Sequence, residues 1–228
     1  MAILGLLGVL VIGLLIFAPQ FWVKKQMRVN SVERADFPGT GGELAEHLIE
    51  HYGIEGVGVE TTDRGDHYDP EAKMVRLLPQ HFEGRSLTAV AIAAHEVGHA
   101  LQDYRQERGL TWRNRLVRFA MMTDKFATIF FIAAPVLGVI ARTPAAFFGL
   151  AAIGISLLAV RVLVHLVTLP VEYDASFGKA LPILKEGGYL HEEDLPAARS
   201  VLKAAALTYV SAALMGLIDL ARWIRILR

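Results

Sequence analysis

Uncharged blocks alternate with short charged stretches along this chain. Residues 2–23 carry no charge, long enough to span about 30 Å of hydrocarbon as a helix. Phe21 and Trp22 suit its interface, and Lys24, Lys25 and Arg28 follow. A cleaved signal peptide fits poorly, because no basic residue precedes the run and no small-x-small site follows. Further uncharged runs occupy about 126–141, with Pro135 inside, and 145–169, interrupted by Arg161 and His165. Arg142-Thr143-Pro144 turns between them. A fourth run, 204–218, is short for a span, and Asp219, Arg222, Arg225 and Arg228 follow it. The pattern predicts about four transmembrane helices, the last the weakest. Basic flanks after the first span and before the second place residues 24–125 in the cytoplasm.

Between the first two spans the pattern changes period. Pro38 to Gly42 reads as a loop. Glu43 to Tyr52 carries Leu44, His47, Leu48 and His51 at helical spacing, and Gly53 ends it. Residues 54–79 predict short strands, with Asp63 to Asp66 as a turn and a hairpin from His67 to Leu78. If its last strand lies at a sheet edge, it can pair with an extended peptide; otherwise the sheet only supports the helix that follows. That helix runs from an N-cap at Ser86 through an alanine-rich apolar stretch. The fold class is therefore mainly α: a membrane helical bundle with a small β-sheet beside one central helix, and the residues taken up below make the expected fold zincin-like. The organisation reads as an N-terminal span (1–23), a cytoplasmic segment with the central helix (24–125), a transmembrane hairpin (126–171), and a last segment with a C-terminal hydrophobic helix (172–228).

The central helix carries His95-Glu96-Val97-Gly98-His99. Residues four apart share a helix face, so His95 and His99 can offer two imidazoles to one ion, with Glu96 placed to reach a water. Gly98 costs about 1 kcal/mol against alanine in a helix interior, which makes sense if something approaches that face closely.

Composition narrows the chemistry. Hydrophobic residues make up 54% of 228, and charged residues 20%, which reinforces the membrane reading. Net charge is zero, so nucleic-acid binding has no electrostatic support. There is no cysteine, which leaves His, Asp and Glu for a metal.

A catalytic zinc site needs a third protein ligand. The extended motif with a downstream glycine and histidine is excluded by Gln102 and Arg105. Two spans return the chain to the same side at Pro170, which can open a fresh helical turn, and Glu172 and Asp174 are the carboxylates there. Glu172 shares a helical stripe with His165 and Ser176 and is chosen, with Asp174 next. Glu172-Tyr173-Asp174-Ala175-Ser176 resembles the Glu-x-x-Ala-Asp element of HtpX-type and CAAX prenyl proteases, whose first Glu is a zinc ligand. This chain has Ser176 in place of their final Asp, so that supporting role is absent or moves to Asp174 or Asp103.

A fuller resemblance is to the YugP-type membrane neutral zinc metallopeptidases. It is carried by the N-terminal span, Asp66 to Pro70, Val75-Arg76-Leu77, Ala93 to Gln102, Leu169 to Ser176, and Ala204 to Val210. Phe177-Gly178 departs from the expected basic or polar residues, which should alter local packing or substrate contacts. The resemblance implies a zinc-dependent membrane peptidase acting on a peptide or protein.

The expected site is one Zn2+ per chain on His95, His99 and Glu172, with Glu96 as general base. Tyr209, His67, His165 and Arg76 are candidate oxyanion stabilisers, Tyr209 foremost. Arg161 and His165, ionisable within a span, are also site candidates. Asp103, on the stripe of the two histidines, could support a ligand. His47, His51, His81 and His191 read as surface residues. The expected location is the plasma membrane, multi-pass, in contact with lipid, with HExxH at the cytoplasmic surface. The alternative is a non-hydrolytic zinc-binding membrane scaffold, which would have no use for Glu96.

Overall fold

The computed structural model describes residues 17–140 and 143–226. Its elements run α1 (17–29), α2 (Gly41–His51), β1 (Gly58–Thr61), β2 (His67–Asp69), β3 (Met74–Leu77), α3 (Pro79–Phe82), α4 (Leu87–Tyr104), α5 (Arg108–Ile140) and α6 (Pro144–Tyr173). A π-helical stretch (Asp174–Ala180), α7 (Leu181–Glu186), a 3-10 turn (Glu192–Asp194) and α8 (Leu195–Ile226) complete the chain. The protein is mainly helical with one small sheet. The described residues fall into two compact units. One combines residues up to 111 with 169–208; the other combines 112–168 with the chain from 209 onward.

In the first unit, α4 is the central element. Every residue from Leu87 to Gln102 is buried. A helix covered on all sides can be apolar all round, which explains its alanine-rich composition. Ser86 caps it as expected, its hydroxyl accepting the Ala89 N–H at 3.2 Å. At its start, the Thr88 hydroxyl donates to the Met27 carbonyl of α1 at 2.9 Å.

The helix expected at Glu43–Tyr52 begins earlier, at Gly41, because Thr40 and Glu43 form a reciprocal capping box. Its end matches expectation. Gly53 takes φ +60°, and Ile54, buried at 2% exposure, donates back to the Ile49 carbonyl at 2.9 Å. This left-handed ending suits glycine and tucks an apolar residue under the last turn.

The sheet has the order β1-β3-β2. The hairpin between His67 and Leu78 forms, with Tyr68 opposite Val75. However, β3 is the central strand, with β1 parallel on its other side. The last strand therefore cannot be the free edge; β1 and β2 are the edges. Tyr68, Val75 and Leu77 turn into the core with Leu48, Ile92, Val97, Leu184 and Leu202. Asp69 caps the hairpin turn by accepting the Glu71 and Ala72 N–H groups at 2.9 and 3.0 Å.

His81 is not a surface residue. It is 8% exposed, and its Nδ1 lies 2.8 Å from the Asp66 carboxylate. Asp66 also accepts the Leu78 N–H, so it fixes the histidine to the end of β3.

In the second unit, long helical stretches expose large apolar residues, including Phe119, Met122, Phe126, Ile129, Phe148 and Leu166. Among the described residues, two helical segments are long and apolar enough to cross a membrane, Phe148–Glu186 and Glu192–Leu217. Four are not evident. The expected first span falls mostly outside the described residues. The second lies at the end of α5, where the uncharged run between Lys125 and Arg142 is short of the about 20 residues a span needs. Pro170 does not open a new helix; it lies inside α6.

Candidate metal centre

α4 presents His95 and His99 one turn apart. Their ring centroids are 4.8 Å apart and their planes cross at 80°. The C-terminal end of α6 brings Glu172 against them. One carboxylate oxygen, Oε2, lies 3.3 Å from both His95 Nε2 and His99 Nε2. All three side chains are buried, with Glu172 at 2% exposure. Ligand atoms from the three lie within 4.8 Å of one another, and this is the one such group of three among the described residues.

The approach of the two segments depends on Gly98. A Cβ built there would sit 2.9 Å from the backbone oxygen of Ala175. That oxygen belongs to the π-helical stretch following Glu172, so the absence of a side chain lets the segment settle on α4. The reason inferred for Gly98 from sequence, a close approach to its face, is what the packing displays.

The far side of each imidazole is also engaged. His95 Nδ1 is 3.0 Å from Ser176 Oγ, and Ser176 Oγ donates to the Leu202 carbonyl at 3.2 Å. A hydroxyl has one hydrogen. With it directed at Leu202, the Ser176 oxygen accepts from Nδ1–H of His95, and Nε2 is the atom that faces Glu172. His99 Nδ1 lies 2.9 Å from Gln102 Oε1. Ligating histidines are commonly oriented through their second nitrogen in this way.

Two imidazole nitrogens and a carboxylate oxygen, converging in a buried pocket of the chain, make a donor set that could hold a metal ion and suits zinc. Glu96 follows His95 on α4 and is itself buried.

Other expected residues have different partners. Asp103 accepts from the Tyr68 hydroxyl at 2.7 Å and from Lys73 at 2.5 Å. It therefore anchors the hairpin to α4. Burial and this hydrogen bond to Asp103 push the Tyr68 hydroxyl pKa up. The residue that does meet His99 is Gln102. Eight positions beyond His95 bring a side chain about 80° round the helix, whereas 102 lies closer to the histidine stripe. A lone amide on an apolar helix face is the available signal in the sequence. Asp174 pairs with Gln102 at 2.7 Å and with Lys179. Arg76 is bound by Glu60 and Asp69, and His67 Nδ1 meets the Gly65 carbonyl at 2.8 Å.

Phe177 lies against Tyr173, ring centroids 4.7 Å apart and planes tilted at 45°, with the Arg199 guanidinium over its ring. Tyr209 belongs to the second unit. There its hydroxyl accepts from Arg113 Nη2 at 3.2 Å, and its ring lies 6.4 Å from that of His165.

The chain is 36% identical over 213 residues to "Putative membrane protease YugP" of Bacillus subtilis (strain 168), covering 92% of this chain and 90% of that protein. No solved structure is significantly similar to it. Over residues 5–228 the sequence matches the family described as "Putative neutral zinc metallopeptidase", and the chain belongs to that family.

Proposed function

We propose that this protein is a zinc-dependent membrane metallopeptidase that hydrolyses peptide bonds at the cytoplasmic face. The observation that carries the reading is the convergence of His95 Nε2 and His99 Nε2 on one oxygen of Glu172, beside a buried Glu96. The family and the similarity to a membrane protease support it. His95, His99 and Glu172 hold one zinc per chain. A zinc ion held there would supply Lewis acidity towards a water and the scissile carbonyl. Glu96 takes the proton of that water on its carboxylate and passes it to the leaving amine. Apolar helices anchor the chain in lipid, and a multi-pass topology places residues 24–125 in the cytoplasm.

The test is zinc content and casein cleavage of the detergent-purified protein. Wild type should hold about one zinc per chain and cleave. Glu96→Gln should keep the metal and lose at least about a hundredfold in rate. Glu172→Ala should lose the metal. Zinc bound by wild type without cleavage of any peptide would favour a structural scaffold instead. Full zinc affinity in Glu172→Ala would sink the ligand assignment.

A further inference from the structure

Gln102 is 1% exposed, one turn beyond His99 on the buried helix α4. Its amide has a forced orientation. Nε2 faces two acceptors, the Val171 carbonyl at 3.0 Å and Asp174 Oδ2 at 2.7 Å. Two acceptors consume the two hydrogens of an amide nitrogen. Oε1 is thereby turned to His99 Nδ1 at 2.9 Å. An amide oxygen can only accept, so Nδ1 of His99 carries a hydrogen and Nε2 is left as the ring atom able to bind a metal. Nε2 is the atom that faces Glu172. Asp174 is held in turn by Lys179, which is buried at 7% exposure and also reaches Glu107 at 3.1 Å. A buried lysine between two carboxylates keeps Asp174 an acceptor towards Gln102.

We propose that Gln102 is a positioning residue that holds a hydrogen on His99 Nδ1 and turns Nε2 to Glu172, its amide locked one way round by Val171 and Asp174. It acts through His99 and touches no substrate. Its zinc consequence rests on the metal reading above; the Nδ1 hydrogen bond does not.

The experiment has two readouts on the full chain in detergent. Long-range proton–nitrogen correlation of metal-free protein, labelled with 15N-histidine, reports which nitrogens of each ring carry hydrogen. Zinc titration gives affinity. The His99 signals are identified by their loss in His99→Gln. Wild type should show His99 with hydrogen on Nδ1. Gln102→Met, similar in volume but without the acceptor, should shift hydrogen towards Nε2 and weaken zinc about ten- to hundredfold. His95 should be unaffected. Gln102→Leu also lacks the acceptor opposite Nδ1. It should show the same loss of the Nδ1 hydrogen and of affinity, and it serves if Gln102→Met does not fold.

A wild-type His99 without hydrogen on Nδ1 overturns the proposal. So does weaker zinc binding in Gln102→Met with an unchanged His99 tautomer, which would reduce Gln102 to packing. Unchanged tautomer and unchanged affinity together overturn it as well. A wild type that shows the expected tautomer but binds no zinc supports the positioning and removes the metal reading.

Discussion

Ser176 stands behind His95, at the last position of the Glu-x-x-Ala-Asp pattern that residues 172–176 resemble. A neutral hydroxyl can do the orienting part of that work, since its own hydrogen is committed to Leu202. It cannot add negative charge to strengthen the imidazole as a donor. Ser176→Ala should therefore weaken zinc about tenfold in a metal titration, while leaving folding nearly intact. Gly98 has a sharper demand on it. Alanine would gain about 1 kcal/mol of helix propensity, but its Cβ would meet backbone rather than a movable side chain. Gly98→Ala should cost about 1–3 kcal/mol net in thermal unfolding and weaken zinc, because Glu172 is carried by the segment it displaces. HExxH and Gly98 are legible in the sequence because two histidines and a glutamate at helical spacing seldom meet on an apolar helix without a site to serve. Gln102 is not, because amides are common and reveal their use only through partners distant in sequence. His81 reads wrongly as a surface residue for the same reason: Asp66, which draws it inside, lies in another turn.

At the scale of elements, local chemistry read from sequence holds best where the cause is local. The Ser86 cap, the Gly53 ending and the hairpin are each determined within a few residues. Strand order is not, since a parallel partner for β3 is set by how β1 packs, not by any turn. The hairpin turn also gives a pH dependence. Backbone hydrogen bonds from Ala72 and Glu71, with Arg76 nearby, hold the Asp69 carboxyl below its ordinary pKa despite partial burial. A lowered folded-state pKa contributes stability that is present above the unfolded value of about 3.9 and is lost as pH falls through the folded value. Acid unfolding, followed by circular dichroism, should thus lose part of its steepness below about pH 4 in Asp69→Asn, and that variant should be less stable than wild type at pH 7.

At the scale of the whole molecule, membrane crossing is the hardest feature to count. Uncharged runs mark where a helix tolerates lipid, but α5 and α8 extend without a break through charged and uncharged stretches alike. Topology is directly testable because the chain has no cysteine. A single Glu55→Cys, at an exposed position near the sheet, should react with a membrane-impermeant thiol reagent only after cells are opened. Labelling in intact cells would reverse the orientation.

His99 and Glu172 are 73 positions apart, and the intervening chain includes all of α5 and most of α6. An ion bridging them acts as a cross-link that closes a very long loop. Closing a loop of that length removes several kcal/mol of disorder from the unfolded chain, by the reasoning applied to disulfides. Chelation should consequently lower the melting temperature by several degrees and raise protease sensitivity, even with every side chain intact. The same linkage sets an order of assembly. His95 and His99 leave the ribosome first, and their third partner arrives only after the intervening helices have been made. Metal capture is then a late step, and a protein that stalls on the way into the bilayer remains a two-histidine site without the donor that completes it.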